Sequence, residues 1–136
     1  MMSLKVGFTG TQKGMTYDQK NNFLVTIRDL NNEHHVEEFH HGDCVGADAS
    51  AHEIAKELEI DIYVYPPINN RKRAFCTGSF KIHPPKDYIE RNHDIVDNCD
   101  ILIACPKSNI EELRSGTWAT VRYARKIKRP VIILKP

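Results

Sequence analysis

Short apolar runs alternate along the chain with segments whose apolar residues recur at helical spacing. The runs that predict strands are 4–8, 36–40, 60–65, 100–105 and 131–134. The segments that predict helices follow Thr16 and the 41–48 turn, span 87–98, and extend from Gly116 to about Lys128. This alternation predicts a Rossmann-like α/β fold with about five parallel strands and helices on both faces of the sheet.

Local signals set several of these boundaries. Thr16 and Gln19 have the spacing of a capping box, so we expect the first helix to begin directly after Thr16. Residues 66–86 contain four prolines and a basic triplet at 71–73 without a clear period, which predicts a long loop, either simply exposed or a lid over a bound anion. The inward candidates of the third helix are Tyr88, Ile89, Ile95 and Val96.

The predicted topology brings three loops together. In a parallel sheet, ligands bind beyond the carboxyl ends of the strands, at the point where the strand order reverses. The loops 9–16 and 106–117 follow the first and fourth predicted strands, and they should meet at that point. The loop 41–48 should lie beside them.

Two of these loops carry groups suited to holding a phosphate. Their candidate ligand-binding residues are Gly10, Thr11, Gln12 and Lys13 in the first, and Arg114, Ser115, Gly116 and Thr117 in the second. Backbone amides at a helix start, hydroxyls and cations all favour an anion, and an arginine offers a planar fork to it. For each loop there is an alternative interpretation: the glycines of the first loop only shape a turn, and Ser115 and Thr117 of the second only cap the helix. Because both loops offer the same chemistry, we expect one phosphate or ribose-phosphate crevice between them.

The third loop has the sequence HGDCVGAD. His41, Asp43 and Cys44 suggest a metal, but no second pair of ligands has the spacing of a zinc site, so we expect no metal. We expect His52 in the following helix to be a packed histidine. None of the four cysteines forms a C-x-x-C pair, which predicts reduced thiols. The loop's candidate ligand-binding residues are Gly42, Asp43 and Gly46.

Composition narrows the functional classes. The 136 residues are 40% hydrophobic and 27% charged, as in a globular chain, and we expect one domain over 1–136. Nineteen basic against eighteen acidic residues give a net charge of +1, whereas dedicated duplex-DNA binders usually carry a clear basic excess. No apolar run is long enough to span a bilayer or follows the N-terminus as a signal peptide would, so we expect a cytoplasmic protein without membrane contact.

Three segments together resemble the SLOG superfamily of Rossmann-like nucleotide-binding proteins, and within it the core of the DNA-processing protein A/Smf family. The family pattern S-G-x-A-x-G-I-D-x-x-A-H aligns without gaps on HGDCVGADASAH at 41–52. Its R-N-R-x-I helix is similar to 91–95, and its R-S-G-S/T-x-x-T-A-R-Y-A motif is similar to 114–124. The resemblance implies a Rossmann-like fold, a nucleotide-type ligand and a homo-oligomer. It also makes Arg91 a candidate anion clamp, with a surface ion pair as the alternative.

Departures from the superfamily patterns favour binding without turnover. The family's G-S-R after the first strand is replaced by Gly10-Thr11-Gln12. LOG-type phosphoribohydrolases and nucleoside deoxyribosyltransferases, which share the fold, carry a catalytic glutamate where Thr120 stands here. A hydroxyl cannot carry the charge that cleavage of an N-glycosidic bond needs. We therefore expect Thr120 to be a ligand contact and the protein to sense or sequester a nucleotide or an ADP-ribose-like molecule, with no cofactor.

Two alternatives remain open at this point. In the first, Glu111 or Glu112 replaces the missing glutamate, and the protein is a glycosidic hydrolase or a base-exchange transferase. In the second, the protein binds single-stranded nucleic acid, as the DNA-processing family does, through Arg122, Arg125 and Lys128. We favour the small-molecule ligand over both.

Overall fold

The computed structural model describes residues 3–136. Its strands are β1 (Leu4–Gly10), β2 (Val36–His41), β3 (Asp61–Val64), β4 (Lys81–Ile82), β5 (Ile101–Cys105) and β6 (Val131–Ile133). Its helices are α1 (Tyr17–His34), α2 (Ala47–Glu57), α3 (Tyr88–Asp97) and α4 (Gly116–Lys126), with a short 3-10 helix at Asn70–Lys72. In the described range, no helix has the length and apolar character that a membrane crossing requires.

The six strands form one sheet in the order β4-β3-β2-β1-β5-β6, and every neighbouring pair is parallel. The Rossmann-like α/β prediction is therefore confirmed, with one strand more than the pattern predicts. The additional strand, β4, lies within 66–86, where two residues pair with β3. A two-residue strand leaves no periodicity in the sequence, so the pattern there predicts only a loop.

Apolar residues on both faces of the central strands hold the three layers together. On one face, Phe8 of β1 packs against Phe23 of α1 and Phe39 of β2, with ring centroids 5.3 to 6.0 Å apart. Helix α2 completes this side through its buried alanines. On the other face, Val96 of α3 and Leu102 of β5 form a smaller cluster with α4. Because β1 lies between β2 and β5, the strand order reverses beside it, as predicted.

Gln19 ties the start of α1 to the carboxyl edge of the sheet. The capping box is confirmed: the Gln19 amide donates to Thr16 Oγ1 and the Thr16 amide donates to Gln19 Oε1, both at 3.0 Å. The Gln19 side chain is fully buried, and its Nε2 donates to the carbonyls of Pro106 and Leu134, at 2.7 and 2.9 Å. One carboxamide thus joins α1 to the segments that follow β5 and β6.

Replacing Gln19 should destabilise the fold well beyond the loss of a helix cap. In Gln19→Leu, the carbonyls of Pro106 and Leu134 stay buried without their donor, and we expect the free energy of unfolding to fall by about 2–4 kcal/mol. Urea denaturation followed by circular dichroism measures it. Asn22→Leu makes the same chemical change at an exposed position of α1 and should stay within about 0.5 kcal/mol of the unsubstituted chain. Equal midpoints for the two variants would contradict this role for Gln19.

Candidate functional site

A crevice with two lobes opens at the carboxyl ends of β1 and β5. The β1 lobe, about 370 Å³, lies against Gly10–Lys13 and the start of α4. The α3 lobe, about 470 Å³, lies against the first two turns of α3. The residues that line both lobes are Gln12, Tyr88, Arg114, Ser115 and Gly116. The two loops that the sequence places together therefore do share one hollow, and Lys13 and Ser115 lie on the wall of the same lobe.

Thr11 fixes the course of the first loop. Its amide donates to the Cys105 carbonyl at 3.0 Å, which holds the ends of β1 and β5 together. Its carbonyl accepts from the amides of Gly14 and Ala47, and its hydroxyl accepts from the Lys13 amide. The side chains of Gln12 and Lys13 are exposed to the crevice, whereas 14–16 do not line either lobe. The loop thus offers the crevice 10–13, a shorter stretch than the predicted 9–16.

The start of α4 presents backbone donors to the same hollow. The Ser115 hydroxyl caps the helix by accepting from the Trp118 amide at 3.2 Å, and the first intrahelical bond runs from Ala119 to the Ser115 carbonyl. Among residues 3–136, the amides of Gly116 and Thr117 have no acceptor. Ser115 therefore acts as the cap that the alternative interpretation predicts, yet it leaves two amides free at the positive end of the helix dipole.

Glycines allow the loops around the crevice to approach one another closely. Gly46 has φ of +94°, and a Cβ there would meet the Gln12 carbonyl. A Cβ on Gly42 would meet the Arg91 guanidinium, and one on Gly10 would lie 2.5 Å from Ala47 Cβ. Gly42 and Gly46 line neither lobe, and each lets a neighbouring group pack against bare backbone.

Tyr88 occupies the centre of the crevice, and the sequence analysis missed it. The pattern predicts Tyr88 and Ile89 on the buried face of α3, but they are 39% and 69% exposed, so that prediction is wrong. The buried face instead carries Arg91 and Asn92 beside Ile95 and Val96. Polar and apolar residues have exchanged places because the first turn of α3 projects past the sheet edge into the crevice.

Arg91 lies beneath Tyr88 rather than in the open crevice. Its guanidinium is 4.7 Å from the Tyr88 ring centroid, and Arg91 is 3% exposed. Nη1 donates to the Gly42 carbonyl at 2.7 Å, to Cys44 Sγ at 3.2 Å and to the Tyr65 carbonyl at 3.4 Å. The alternative interpretation, in which Arg91 forms an ion pair on the helix surface, is therefore wrong. Arg91 could contact a ligand in either lobe only if Tyr88 moved.

A carboxylate shares the space under Tyr88. Asp48 accepts from the Cys44 amide at 3.1 Å, and both Asp48 and Arg91 line a polar chamber of about 10 Å³, the space of roughly one water molecule. Burial raises the pKa of Asp48 to about 6, and the Arg91 cation opposes that rise. This chamber adjoins the α3 lobe through Gln12, Tyr88 and Asn92, which line both.

Asp43 anchors the proline-rich segment and lines neither lobe. Its carboxylate accepts from Arg73 Nε and from the Cys76 amide, both at 3.0 Å, and its carbonyl accepts from the Ala74 amide at 2.8 Å. These bonds fasten 73–76 to the end of β2. Lys72, one residue earlier, is thereby held beside the α3 lobe. The basic triplet is neither wholly exposed nor a free lid, since Arg73 is tied down while Lys72 reaches the crevice.

His41, His52 and Cys76 bring two nitrogens and a sulfur within 4.8 Å of one another. The Asp43 amide donates to His41 Nδ1 at 2.9 Å, so His41 carries its proton on Nε2 and donates it to His52 Nδ1, also at 2.9 Å. His52 Nε2 in turn donates to the Thr77 carbonyl at 2.7 Å. Neither ring keeps a free lone pair for a metal, and burial raises the pKa of the Cys76 thiol. His52 is the packed histidine that we predicted, and the set His41, Asp43 and Cys44 does not converge on one point.

Cations surround the crevice. Lys13, Lys72 and Arg114 line it and form no salt bridge with any residue that the structure describes. Lys107 lies 3.8 Å from the Glu112 carboxylate, and both line the β1 lobe. Cations without partners around a concave surface raise the local concentration of anions. The sequence analysis did not identify Lys72 and Lys107 as crevice residues. The one signal for them is that both lie in loops that the topology places at the carboxyl edge of the sheet.

Most of the side chains that would serve the hydrolase or the nucleic-acid-binding alternative form ion pairs with one another. Arg122 donates to the Glu111 carboxylate at 3.1 Å and to the carbonyls of Glu112 and Leu113, at 3.3 and 3.0 Å. Arg125 lies 3.7 Å from the same Glu111 carboxylate. Only Glu112 of the two glutamates lines the crevice. Thr120 lines the α3 lobe, where its hydroxyl donates to the Gly116 carbonyl at 2.9 Å.

The buried histidine pair predicts acid sensitivity. Burial, and next to it the charges of His52, Arg91 and His40, hold the pKa of His41 well below 6.5. Because the unfolded chain takes up this proton first, the stability from neutral His41 is complete above pH 6.5 and is lost below it, by up to about 1.4 kcal/mol per pH unit. Urea midpoints from pH 7.5 to 5.0 should fall less steeply in His41→Asn than in the unsubstituted chain. His34→Asn, at an exposed position, should keep the original slope, and equal slopes for all three would contradict this role.

Comparison with known proteins identifies the fold. No family profile and no curated protein matches the sequence. Among solved structures, a molybdenum cofactor binding protein from Rippkaea orientalis matches with a TM-score of 0.73 at 23% identity, over 100% of this chain and 78% of that one. The Moco carrier protein from Chlamydomonas reinhardtii matches with 0.67 at 20%, over 98% and 78%. DNA processing protein A from Helicobacter pylori also matches with 0.67 at 20%, over 96% and 64%.

These matches confirm the resemblance to DNA-processing protein A at the level of the fold. The structures share the Rossmann-like arrangement, and their identities of 20 to 23% to this chain support a statement about architecture alone. The chain therefore has a Rossmann-like fold, which it shares with these three proteins.

Proposed function

We propose that this protein binds a nucleotide or a nucleotide-derived molecule in the crevice and holds it without turning it over. The observation that carries the proposal is the shared wall of the β1 lobe, where 10–13 face the free amides of Gly116 and Thr117. A phosphate there would accept from the start of α4 and lie between Lys13 and Arg114. Backbone amides in the first turn of a helix and unpaired cations are the groups that bind phosphate in other proteins.

The size of the crevice also fits a small organic ligand. Each lobe lies within the range of about 300–1,000 Å³ that is usual for pockets of small molecules. Most residues that line the β1 lobe are polar or charged, while the α3 lobe adds the apolar side chains of Ile89 and Leu113. A ligand with a charged end and a less polar end would match both.

Storage or sensing is favoured over cleavage by the groups that line the crevice. The Thr120 hydroxyl donates to a backbone carbonyl and cannot replace a carboxylate. Glu111 is paired with two arginines, which leaves Glu112 as the one glutamate of that loop positioned for chemistry. If a glutamate of this loop cleaves a glycosidic bond, Glu112 is therefore the candidate.

Binding of single-stranded nucleic acid has less support from the side chains. Arg122 and Arg125 compensate Glu111 and hold the 111–113 loop, so their charges are partly neutralised before any phosphate arrives. The fold is shared with DNA processing protein A and with molybdenum cofactor carriers, whose names give the competing ligands to be tested.

Removing the two unpaired cations should abolish tight binding. In a Lys13→Ala/Arg114→Ala double variant we expect AMP or ADP-ribose to bind at least tenfold more weakly, because a hydrogen bond to a charged group contributes about 1.5–3 kcal/mol. Isothermal titration calorimetry at fixed salt measures the affinity. Arg125→Ala removes a cation that lines neither lobe and serves as the matched control.

The competing functions give different results. Thermal unfolding with AMP, ADP-ribose, NAD and cyclic dinucleotides should show a shift for at least one of them, since ligand at a hundred times its Kd adds about 2.7 kcal/mol. Shifts only with single-stranded DNA, or only with molybdenum cofactor, would overturn the nucleotide proposal in favour of that ligand. Release of free base from AMP, abolished by Glu112→Gln, would show an enzyme instead.

A further inference from the structure

The α3 lobe contains a polar side chain that the fold does not use. Asn92 is 8% exposed, yet its carboxamide has no hydrogen-bond partner among residues 3–136. It lines the α3 lobe and the small chamber under Tyr88. The side-chain atoms that are both sealed from solvent and without a partner in the described range do not include those of Asn92. Its carboxamide therefore reaches water in the lobe, and a ligand that displaces this water can supply its hydrogen-bond partners.

The surroundings of Asn92 suit a planar ring. Tyr88 forms one wall, and the Arg91 guanidinium on its ring, at 4.7 Å, leaves one face of the aromatic ring for other contacts. Ile89 and Leu113 border the same lobe and are 69% and 87% exposed, so both would lose water contact against an apolar ring face. The lobe therefore combines apolar walls with one carboxamide.

The chemistry of the carboxamide defines what the ring must offer. An asparagine side chain carries one acceptor and two donors on adjacent atoms, and it pairs in a bidentate manner with a ring edge that presents a donor beside an acceptor. Nitrogen heterocycles with an amino group next to a ring nitrogen have such an edge. An aliphatic tail would leave the amide without a partner, and a saturated sugar could pair with the amide but would offer no planar face to Tyr88.

We propose that Asn92 and Tyr88 determine the specificity of the crevice for a ligand whose phosphate lies in the β1 lobe and whose planar nitrogen heterocycle lies in the α3 lobe. The assignment rests on the proposed function and specifies the part of the ligand that the cations do not contact. Gln12, Ser115 and Gly116 line both lobes, so one molecule can extend from one to the other past them.

The test combines two ligands with four proteins. AMP carries both parts, and ribose 5-phosphate carries the phosphate without the ring. In Asn92→Leu, we expect AMP to bind at least tenfold more weakly while the affinity for ribose 5-phosphate changes less than twofold. Tyr88→Ala should weaken AMP more than ribose 5-phosphate, although Tyr88 also borders the β1 lobe, whereas Arg114→Ala should weaken both ligands. Titration calorimetry gives all the affinities against the unsubstituted chain.

Stability separates a ligand contact from a structural role. Because the Asn92 carboxamide has no partner in the fold, Asn92→Leu should unfold at the same urea concentration or a higher one, and a clearly lower midpoint would show that the amide supports the structure and overturn the proposal. The Asn98 side chain donates to the Asp94 carbonyl, so Asn98→Leu serves as the control that loses a bond.

The outcomes also separate this inference from the proposed function. If neither ligand binds the unsubstituted chain, the proposed function fails. If both bind with equal affinity, or if Asn92→Leu weakens both to the same degree, the phosphate site stands and the role of Asn92 is refuted. GMP and inosine 5′-monophosphate extend the panel, because they change the edge of the ring without changing the phosphate.

Discussion

The buried guanidinium of Arg91 is the contact around which the crevice is arranged. It joins α3 to the carboxyl ends of β2 and β3 by donating to the carbonyls of Gly42 and Tyr65. On its other side, the guanidinium supports the Tyr88 ring, which lines both lobes of the crevice. A guanidinium needs room that only bare backbone provides, which explains the glycine at 42. A hydrogen bond to a charged group contributes about 1.5–3 kcal/mol, so Arg91 supports both the shape of the crevice and the stability of the fold.

Five of the six strands in the described range, the helix starts and the reversal of strand order could be predicted from sequence. These features follow from apolar runs, from the spacing of Thr16 and Gln19, and from the handedness of parallel crossovers, all of which are local or general rules. The two-residue β4 could not be found, since it exists only through pairing with β3. The convergence of 10–13 with 114–117 followed from topology and needed no knowledge of individual contacts.

Helix α3 shows where pattern-based inference fails. Periodicity assumes that apolar side chains face the core, and it placed Tyr88 and Ile89 there while treating Arg91 as a crevice or surface residue. The first turn of α3 extends past the sheet, so apolar residues there border a cavity, and the arginine fills a polar position under them. A better signal was available: all helices of a parallel sheet begin at the ligand edge, so an exposed aromatic in a first turn is a candidate contact.

The side chains at this edge divide into two groups by the state of their hydrogen bonds. Gln19, Asp43, His41 and His52 have their polar atoms engaged, and each joins segments distant in sequence. Gln12, Lys13, Asn92 and Arg114 have side chains without partners among the described residues, and all four line the crevice. Gln12, Lys13 and Arg114 are exposed, so the fold leaves them hydrated and available to a ligand. Because Lys13 and Arg114 place two positive charges around one hollow, they attract anions, and this is the chemistry of the ligand that we propose.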